Sequence, residues 1–431
     1  MTSSGLAGEV EGPSRPLPAE AFTRPETYAA IRRPVDFATT LIPDAYVADA
    51  FLALERERIF RGAWVAVGTT AELRTPGDYL VADVAGQSVI VCRQADGGLR
   101  AFHNVCRHRG ARLCDAGRGH AGRFFQCPYH AWAYGLDGRC LGTPLFTPDS
   151  EVPEDQRGIF DPLQAFDKAD YALYPVHAAE LGCLVLVCLA PEAPVLSEVL
   201  GDLPRRFDGY RLEEWDLVAT RDYVIGANWK LIAENFMEYY HLPWVHPGLV
   251  QVSPMKAHHR WQGRGLYVGF GTSPIATNSD QGGWQGLPPI AGLSEEQAVS
   301  ARFVWLFPNV AVNVLPNHVV LLLVRPVTPS RTEETLYLLA HPESHAAPEA
   351  AAEIEQLLAF WDLVNREDVA IVERVQDGLA NLAYTGGRLC YRFEEGVHRF
   401  QNLVADHVLG QPRVPEGDPH DGAPMFASPI S

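Results

Sequence analysis

Residues 106–108 read Cys-Arg-His and residues 127–130 read Cys-Pro-Tyr-His, so two short segments each offer one thiolate and one imidazole. Each pair suits the tip of a tight loop, and Cys106, His108, Cys127 and His130 could grip a small metal centre from two sides. Zinc accepts two thiolates and two imidazoles, but zinc fingers keep Cys with Cys and His with His along the chain. Here each loop supplies one of each. That split suits a [2Fe–2S] cluster with thiolates on one iron and imidazoles on the other, an arrangement that accepts an electron readily. Buried thiols beside incidental histidines are the bland alternative.

A second set lies in residues 228–247, NWKLIAENFMEYYHLPWVHP. The texture of 229–241 predicts a helix, with Glu238 and His241 three apart on one face. Pro243 should stop that helix and let His246 turn back toward His241. The third member is predicted on a long helix over 350–379, where Leu357, Trp361, Val364, Asp368, Ile371 and Val375 recur at helical spacing. Asp368 is the one charge in that stripe, and a buried carboxylate is costly unless it is paired or bound to metal. An Asp paired with Arg stays open as a competing reading. Glu367 and Asp362 fall about 100° off the face and are expected to be solvated. Taken together, His241, His246 and Asp368 compose the two-His, one-carboxylate triad with open positions that suits non-haem Fe(II) and O₂.

The elements that must position these residues change in kind along the chain. Residues 47–60 have helical spacing. From Trp64 on, short Val-rich runs such as YLVADV and SVIVCR alternate with Gly turns and predict small antiparallel strands. LGCLVLVCLA at 181–190 looks like a later buried strand of the same unit, and Pro191 and Pro194 mark a boundary. Strands are predicted over 302–325 and 335–341, and helices over 350–379 and 394–409. Strands grouped first and helices later predict an α+β fold. The expected divisions are a flexible lead-in at 1–44, a cluster domain at 45–192, a catalytic domain at 193–410 and a tail at 411–431. Gly117–Gly122 matches G-x-G-x-x-G, but no helical pattern follows it, so no dinucleotide site is expected there.

A chain of 431 residues leads to an expectation of two domains. Its 35 basic and 53 acidic residues, a formal charge of −18, argue against nucleic acid and anionic membrane surfaces as partners. No apolar run reaches the roughly 18 residues of a membrane span. The first 35 residues lack an apolar core and carry Glu9, Glu11, Glu20 and Glu26, unlike a secretory signal. Eight cysteines in such a chain point to metal ligation or buried thiols rather than a disulfide framework. A cytoplasmic location is expected.

The stretch CRHRGARLC…CPYHAWAYGLDG resembles the Rieske domain of the Rieske non-haem iron oxygenase alpha subunits, the aromatic-ring-hydroxylating dioxygenase superfamily. It differs from the respiratory-chain Rieske proteins, which carry a disulfide cysteine where Tyr129 stands, so Cys114 is expected to be a buried thiol. Glu238-x-x-His241-x-x-x-x-His246 fits the family's second motif, and Glu367-Asp368-x-x-x-x-Glu373-x-x-Gln376-x-Gly378 resembles its last-ligand segment. The resemblance covers residues 45 to 410. It implies an antiparallel β Rieske [2Fe–2S] domain, then an α+β helix-grip-like catalytic domain with an antiparallel sheet. It also implies cluster ligands Cys106, His108, Cys127 and His130, and Fe(II) ligands His241, His246 and Asp368. Glu238 would link that iron to the Rieske histidine of a neighbouring subunit, within a cyclic homotrimer.

Glu238 stands where ring-hydroxylating dioxygenases usually have Asp. With HLPWVHP and GRLCYRFEEGVHRFQ, it makes the chain resemble the choline, glycine betaine, stachydrine and carnitine oxygenase branch. The expected activity is therefore monooxygenation or oxidative N-demethylation of a small quaternary ammonium compound, using O₂. Electrons would come from a separate NAD(P)H-dependent reductase bearing flavin, an iron–sulfur centre, or both. Hydroxylation of an aromatic compound, and a Rieske electron carrier fused to a ligand-binding domain, are the alternatives. Tyr239, Tyr240, Trp244, Tyr267, Trp284 and Trp305 could furnish an aromatic cage, although scattered aromatics are more often core. His258 and His259 read as surface or loop residues, and His318 as either pocket or packing.

Overall fold

The computed structural model describes residues 16–115, 117–144, 166–275 and 286–423. The Val-rich runs of the first half form β1 (Val65–Thr69), β2 (Asp78–Val84), β3 (Gln87–Arg93), β4 (Leu99–His103) and β5 (Gly117–His120). They are followed by β6 (Phe124–Gln126), β7 (Ala133–Gly135), β8 (Cys140–Gly142), β9 (Pro175–Leu181) and β10 (Leu184–Cys188). A seven-stranded sheet runs β1-β10-β9-β4-β3-β2-β5, and β6-β7-β8 form a separate small sheet. Residues 117–122 make β5 and a turn with no helix after it. Close packing holds Gly119, where a Cβ would sit 2.6 Å from the Tyr79 hydroxyl oxygen, and the neighbouring Gly77, whose φ is +96° and whose Cβ would sit 2.5 Å from the Gly122 carbonyl oxygen.

The second half builds one antiparallel sheet from β11 (Asp216–Ile225), β12 (His258–Arg260), β13 (Tyr267–Thr272) and β14 (Ala301–Leu306), continued by β15 (Val310–Val314), β16 (Val319–Thr328) and β17 (Arg331–Ala340). Its order is β11-β17-β16-β15-β14-β13-β12. The helices that matter here are α1 (Asp49–Glu55), α2 (Trp229–Met237), α3 (Leu242–Val245), α4 (Ala350–Leu379) and α5 (Glu395–Val408). Leu357 and Trp361 of α4 share a core with Phe270, Phe303, Val320, Leu336 and Leu338 of the sheet. The two large sheets are tied by Asn309, whose side chain accepts from the Ala66 N–H and donates to the Ala66 carbonyl, both at 2.9 Å. Among the described residues no helix is long and apolar enough to cross a membrane.

Three expectations need correction. The flexible lead-in fails over residues 16–44, because Phe22, Tyr28, Ile31 and Leu41 are buried in the core. Arg32 also pairs with Asp406 of α5 at 2.5 Å, and the Leu41 N–H donates to Gln401 at 2.9 Å. The helix predicted over 229–241 stops at Met237, and Glu238 is extended at φ −116°, ψ 158°. The Glu238 carboxylate accepts the N–H groups of Tyr240 and His241, the latter at 3.2 Å, which holds the chain in a turn. Pro243 then lies in the first turn of α3 instead of ending a helix, the position its fixed φ favours. Over 411–423 the tail has neither helix nor strand; there the Asp418 N–H donates to the Gln262 carbonyl at 2.7 Å, and the Arg260 N–H to that of Ala423 at 3.1 Å.

One buried pair fastens α1 to α2. Lys230 and Glu55 both have 0% side-chain exposure and meet at 2.6 Å. Lys230 also donates to Asn228 at 2.7 Å, and the Trp229 indole donates to Glu55 at 3.1 Å. Lys230→Met should destabilise the protein by about 3–5 kcal/mol, because Glu55 is left as a buried charge. Adding Glu55→Leu should recover much of that loss. Urea unfolding of both variants checks the two signs.

Candidate metal centres

The two Cys/His loops are built alike. In one, the Cys106 N–H donates to Ala111 at 2.8 Å and the Gly110 N–H returns to Cys106 at 3.0 Å. In the other, the Cys127 N–H donates to Trp132 at 2.8 Å and the Ala131 N–H returns to Cys127 at 3.0 Å. Gly110 and Ala131 occupy matching positive-φ positions, +74° and +56°. Such closed turns hold the four side chains together at the tips. Cys106 and Cys127 are buried, whereas His130 is exposed and His108 half-buried, so the thiols lie inside and the imidazoles outside. The His108 and His130 rings are 4.6 Å apart, and His108 stacks on Trp132 at 4.9 Å. Burial pushes the Cys106 thiol up, with Tyr134 opposing through a 3.3 Å contact to its sulfur. Two inner thiols facing two outer imidazoles fit a cluster whose irons differ. Cys114 is a buried free thiol, as expected.

The second set also converges. Ligand atoms of His241, His246 and Asp368 all lie within 4.8 Å of one another. Asp368 Oδ1 is 2.7 Å from His246 Nε2 and 3.5 Å from His241 Nε2. His241 precedes α3, His246 follows it, and Asp368 comes from mid-α4, so one short helix and one long one aim the three groups inward. Burial pushes the Asp368 carboxyl up, but hydrogen bonds from the two imidazoles hold it below the ordinary range. His241 is opposed by burial yet raised to about 10 by Asp368 and Glu238. A site holding anionic and imidazole groups this close suits a divalent transition metal, which would take the place of the shared protons.

Behind each imidazole stands an acid. Glu238 contacts His241 Nδ1, and Glu367 lies 2.7 Å from His246 Nδ1. Each acid fixes the ring tautomer so that Nε2 faces the centre. Glu367 is thus corrected from a solvated residue to a partner of His246; its side chain is long enough to reach round the helix. Asp362 is corrected as well, since it accepts from Tyr223 at 2.7 Å and pairs with Arg221 at 2.9 Å. The buried face of α4 carries Asn365 and Gln376 too, while Val375 is exposed, so Asp368 is not its only polar member. Glu367→Gln should weaken iron binding about 10–100-fold, read by competition with a chelator.

A cavity of about 70 Å³ adjoins the triad, lined by Phe236, Phe270, Phe303 and Trp361 together with Glu238 and His258. His258 is corrected from a surface residue: it is 1% exposed, stacks on Tyr239 at 5.2 Å, and burial pushes it down to about 4. Its place on β12, paired with β13, could not be read from two adjacent histidines. His318 packs instead, accepting the Trp361 indole N–H at 2.9 Å. The six aromatics that could have furnished a cage do not assemble one, and Tyr239 is buried core against His258 and Phe270. Trp244 is 82% exposed, Tyr240 is exposed, Tyr267 and Trp305 are core, and Trp284 lies outside the described residues. The rings that do line the cavity come from α2, β13, β14 and α4.

Residues 63–188 match the family model of the Rieske [2Fe-2S] domain, and residues 212–410 match that of the ring hydroxylating alpha subunit (catalytic domain). The chain is 26% identical over 411 residues to the glycine betaine monooxygenase oxygenase subunit of Pseudomonas aeruginosa (strain UCBPP-PA14), covering 88% of this chain and 92% of that one. It is 29% identical over 402 residues to the carnitine monooxygenase oxygenase subunit of Escherichia coli (strain K12), covering 89% and 97%. A solved structure of the quaternary ammonium Rieske monooxygenase CntA, in complex with an inhibitor, superposes with a TM-score of 0.71 at 26% identity, covering 86% of this chain and 96% of that one.

Proposed function

This chain belongs to the Rieske non-haem iron oxygenase alpha subunits, with a [2Fe–2S] cluster and a mononuclear iron as its cofactors, and on that premise we propose that it monooxygenates a small quaternary ammonium compound. The observation that carries this reading is the cavity beside the triad. Four aromatic rings line it, Glu238 and Asp368 add negative charge, and no Lys or Arg is among its described lining residues. A quaternary ammonium group has no N–H to donate, so aromatic faces and nearby anions are its natural partners. The volume is small beside the roughly 300–1,000 Å³ of pockets for drug-sized ligands, which favours a small substrate. The names of the relatives above agree with that choice.

In this reading Cys106, His108, Cys127 and His130 would hold the cluster, and His241, His246 and Asp368 the Fe(II). Bound there, the iron supplies O₂ activation and the cluster supplies electrons. The chain's own part is orientation. Glu238 and Glu367 hold the Nδ1 sides of His241 and His246, and the Asn235 amide donates to Asp368 at 2.6 Å, which leaves the remaining lone pairs to converge. Phe236, Phe270 and Phe303 keep water from the reacting carbon. Overall, one O₂, two electrons and two protons become one oxygen inserted into a C–H bond and one water. When the C–H belongs to an N-methyl group, the product loses formaldehyde.

An oxygenase subunit needs a reductase and takes a small substrate. The finer reading is an NAD(P)H-dependent reductase with flavin or an iron–sulfur centre, in the cytoplasm, serving a homotrimer. In that ring, Glu238 would couple the iron to the cluster of the neighbouring subunit. The outward-facing His130 and His108 support such a transfer surface. The test is anaerobic reconstitution with a reductase, then product analysis over choline, glycine betaine, carnitine and aromatic acids. Formaldehyde or a hydroxylated product from an ammonium compound is expected. Ring dihydroxylation with the ammonium compounds inert would sink the proposal.

A further inference from the structure

Asn313 is a buried amide with no part in holding either metal centre. It lies on β15, paired with Phe303 of β14 and Val320 of β16, and is 2% exposed. Paired residues of an antiparallel sheet project to the same face. Phe303 and Val320 share a core with Leu357 and Trp361 of α4, so Asn313 faces that helix too, and it lines the cavity beside the triad. Its Oδ1 is buried and has no hydrogen-bond partner among the described residues. An acceptor left so is costly, and filling space in this apolar row would be met by Leu.

The other polar side chains of the wall are engaged. Asn235 donates to Asp368 at 2.6 Å, and Asn365 donates to Glu334 at 2.7 Å. His258 donates from Nδ1 to the Pro254 carbonyl at 2.9 Å, which leaves Nε2 of the neutral ring as an acceptor. Ser253 Oγ lies 3.4 Å from that nitrogen and 3.0 Å from the Thr272 hydroxyl, so these three groups satisfy one another. Among the described lining residues, Asn313 is the side-chain amide left to meet a ligand.

The chemistry of an amide without a cation beside it decides what it can meet. A carboxylate is an acceptor only. It would face Oδ1 as oxygen against oxygen, or a single N–H with the amide turned over, and no Lys or Arg lines the cavity to balance its charge. A hydroxyl donates and accepts, so it pairs with the amide in either orientation. Resting on the reading of this cavity as the site for a quaternary ammonium compound, we propose that Asn313 sets its specificity by hydrogen-bonding an alcohol group of the substrate. The preferred substrates are then quaternary ammonium alcohols, with the hydroxyl on Asn313 and the ammonium group among the aromatic rings. Betaines, which carry a carboxylate at that end, are disfavoured.

The test titrates the full-length holoenzyme calorimetrically, without O₂, against three ligands. Choline carries a hydroxyl, propyltrimethylammonium has a methyl group in its place, and glycine betaine ends in a carboxylate. Wild type should bind choline at least about tenfold more tightly than either of the others. Asn313→Leu should bring choline and propyltrimethylammonium to within about threefold of each other. Asn313→Asp, which keeps an oxygen at that position, should retain the preference for choline over propyltrimethylammonium. A residue that only shapes the cavity would weaken these two ligands alike, so an unchanged ratio in Asn313→Leu overturns the proposal. Wild type that binds glycine betaine as tightly as choline also overturns it, and that comparison needs no variant to fold. Product analysis separates the two levels of the reading. Glycine betaine oxidised with choline inert removes this role of Asn313 and leaves ammonium oxygenation standing. Aromatic acids oxidised with all three ammonium compounds inert removes both.

Discussion

His246→Ala is expected to drop the iron content from about three to about two atoms per chain and to leave no measurable oxygenation, with the visible spectrum of the cluster unchanged. His246 stands between two acids, 2.7 Å from Asp368 and 2.7 Å from Glu367. Removing its ring takes away a proposed metal ligand and sets two carboxylates facing each other with nothing between them. Like charges at that range disfavour the shared ionised state, so the site loses affinity twice over. The cluster loops belong to another sheet and should not register the change. Iron analysis, absorbance and product assays on one preparation read all three quantities. Retention of three irons would show that the metal is held elsewhere. Wild type with only two would identify an electron carrier.

Glu238→Ala is the second large effect, and it should separate electron supply from iron binding. Glu238 contacts the His241 ring and two backbone N–H groups, so the chain between α2 and α3 is shaped around its carboxylate. Without it the variant should keep its cluster and most of its mononuclear iron, yet lose about 10–100-fold in turnover. Rapid mixing of the reduced protein with O₂ and substrate should show slow cluster reoxidation as the cause. Glu238→Gln, which keeps an acceptor for the backbone, should fall between the two. Wild-type reoxidation rates in Glu238→Ala would remove this residue from the electron path.

Much of this molecule was legible because chemistry imposes rigid spacing. Cys106, His108, Cys127 and His130 lie on turns closed by local hydrogen bonds, so short-range pattern and position coincide. Asp368 could be nominated because the periodicity of a thirty-residue helix is long enough to define a face. What escaped detection depended on tertiary contact. Glu367 is off that face by angle but reaches His246 through a flexible side chain. The end of α2 at Met237 is set by a side-chain bond to the backbone that propensity does not anticipate. His258 reaches the cavity only when β12 takes its place in the sheet. The aromatic set failed for the same reason, since hydrophobic rings carry no local mark of which cavity they will line.

The burial of residues 16–44 bears on the order in which the chain acquires its structure. Tyr46 accepts from Asn228 and Gln376, Arg58 donates to Val408, and Arg32 holds Asp406, so the opening segment is fastened to elements from the far end. The cluster unit, from β1 to β10, is therefore an insertion within a body whose two halves lie on either side of it. During synthesis that inserted unit can close once residue 188 has emerged, whereas the body cannot complete itself until α5 is made. Until then Phe22, Tyr28 and Leu41 expose apolar surface with no partner. A truncation that begins at the cluster unit would strip the body of part of its own core, and one that ends before α5 would leave the opening segment as an aggregation-prone strap.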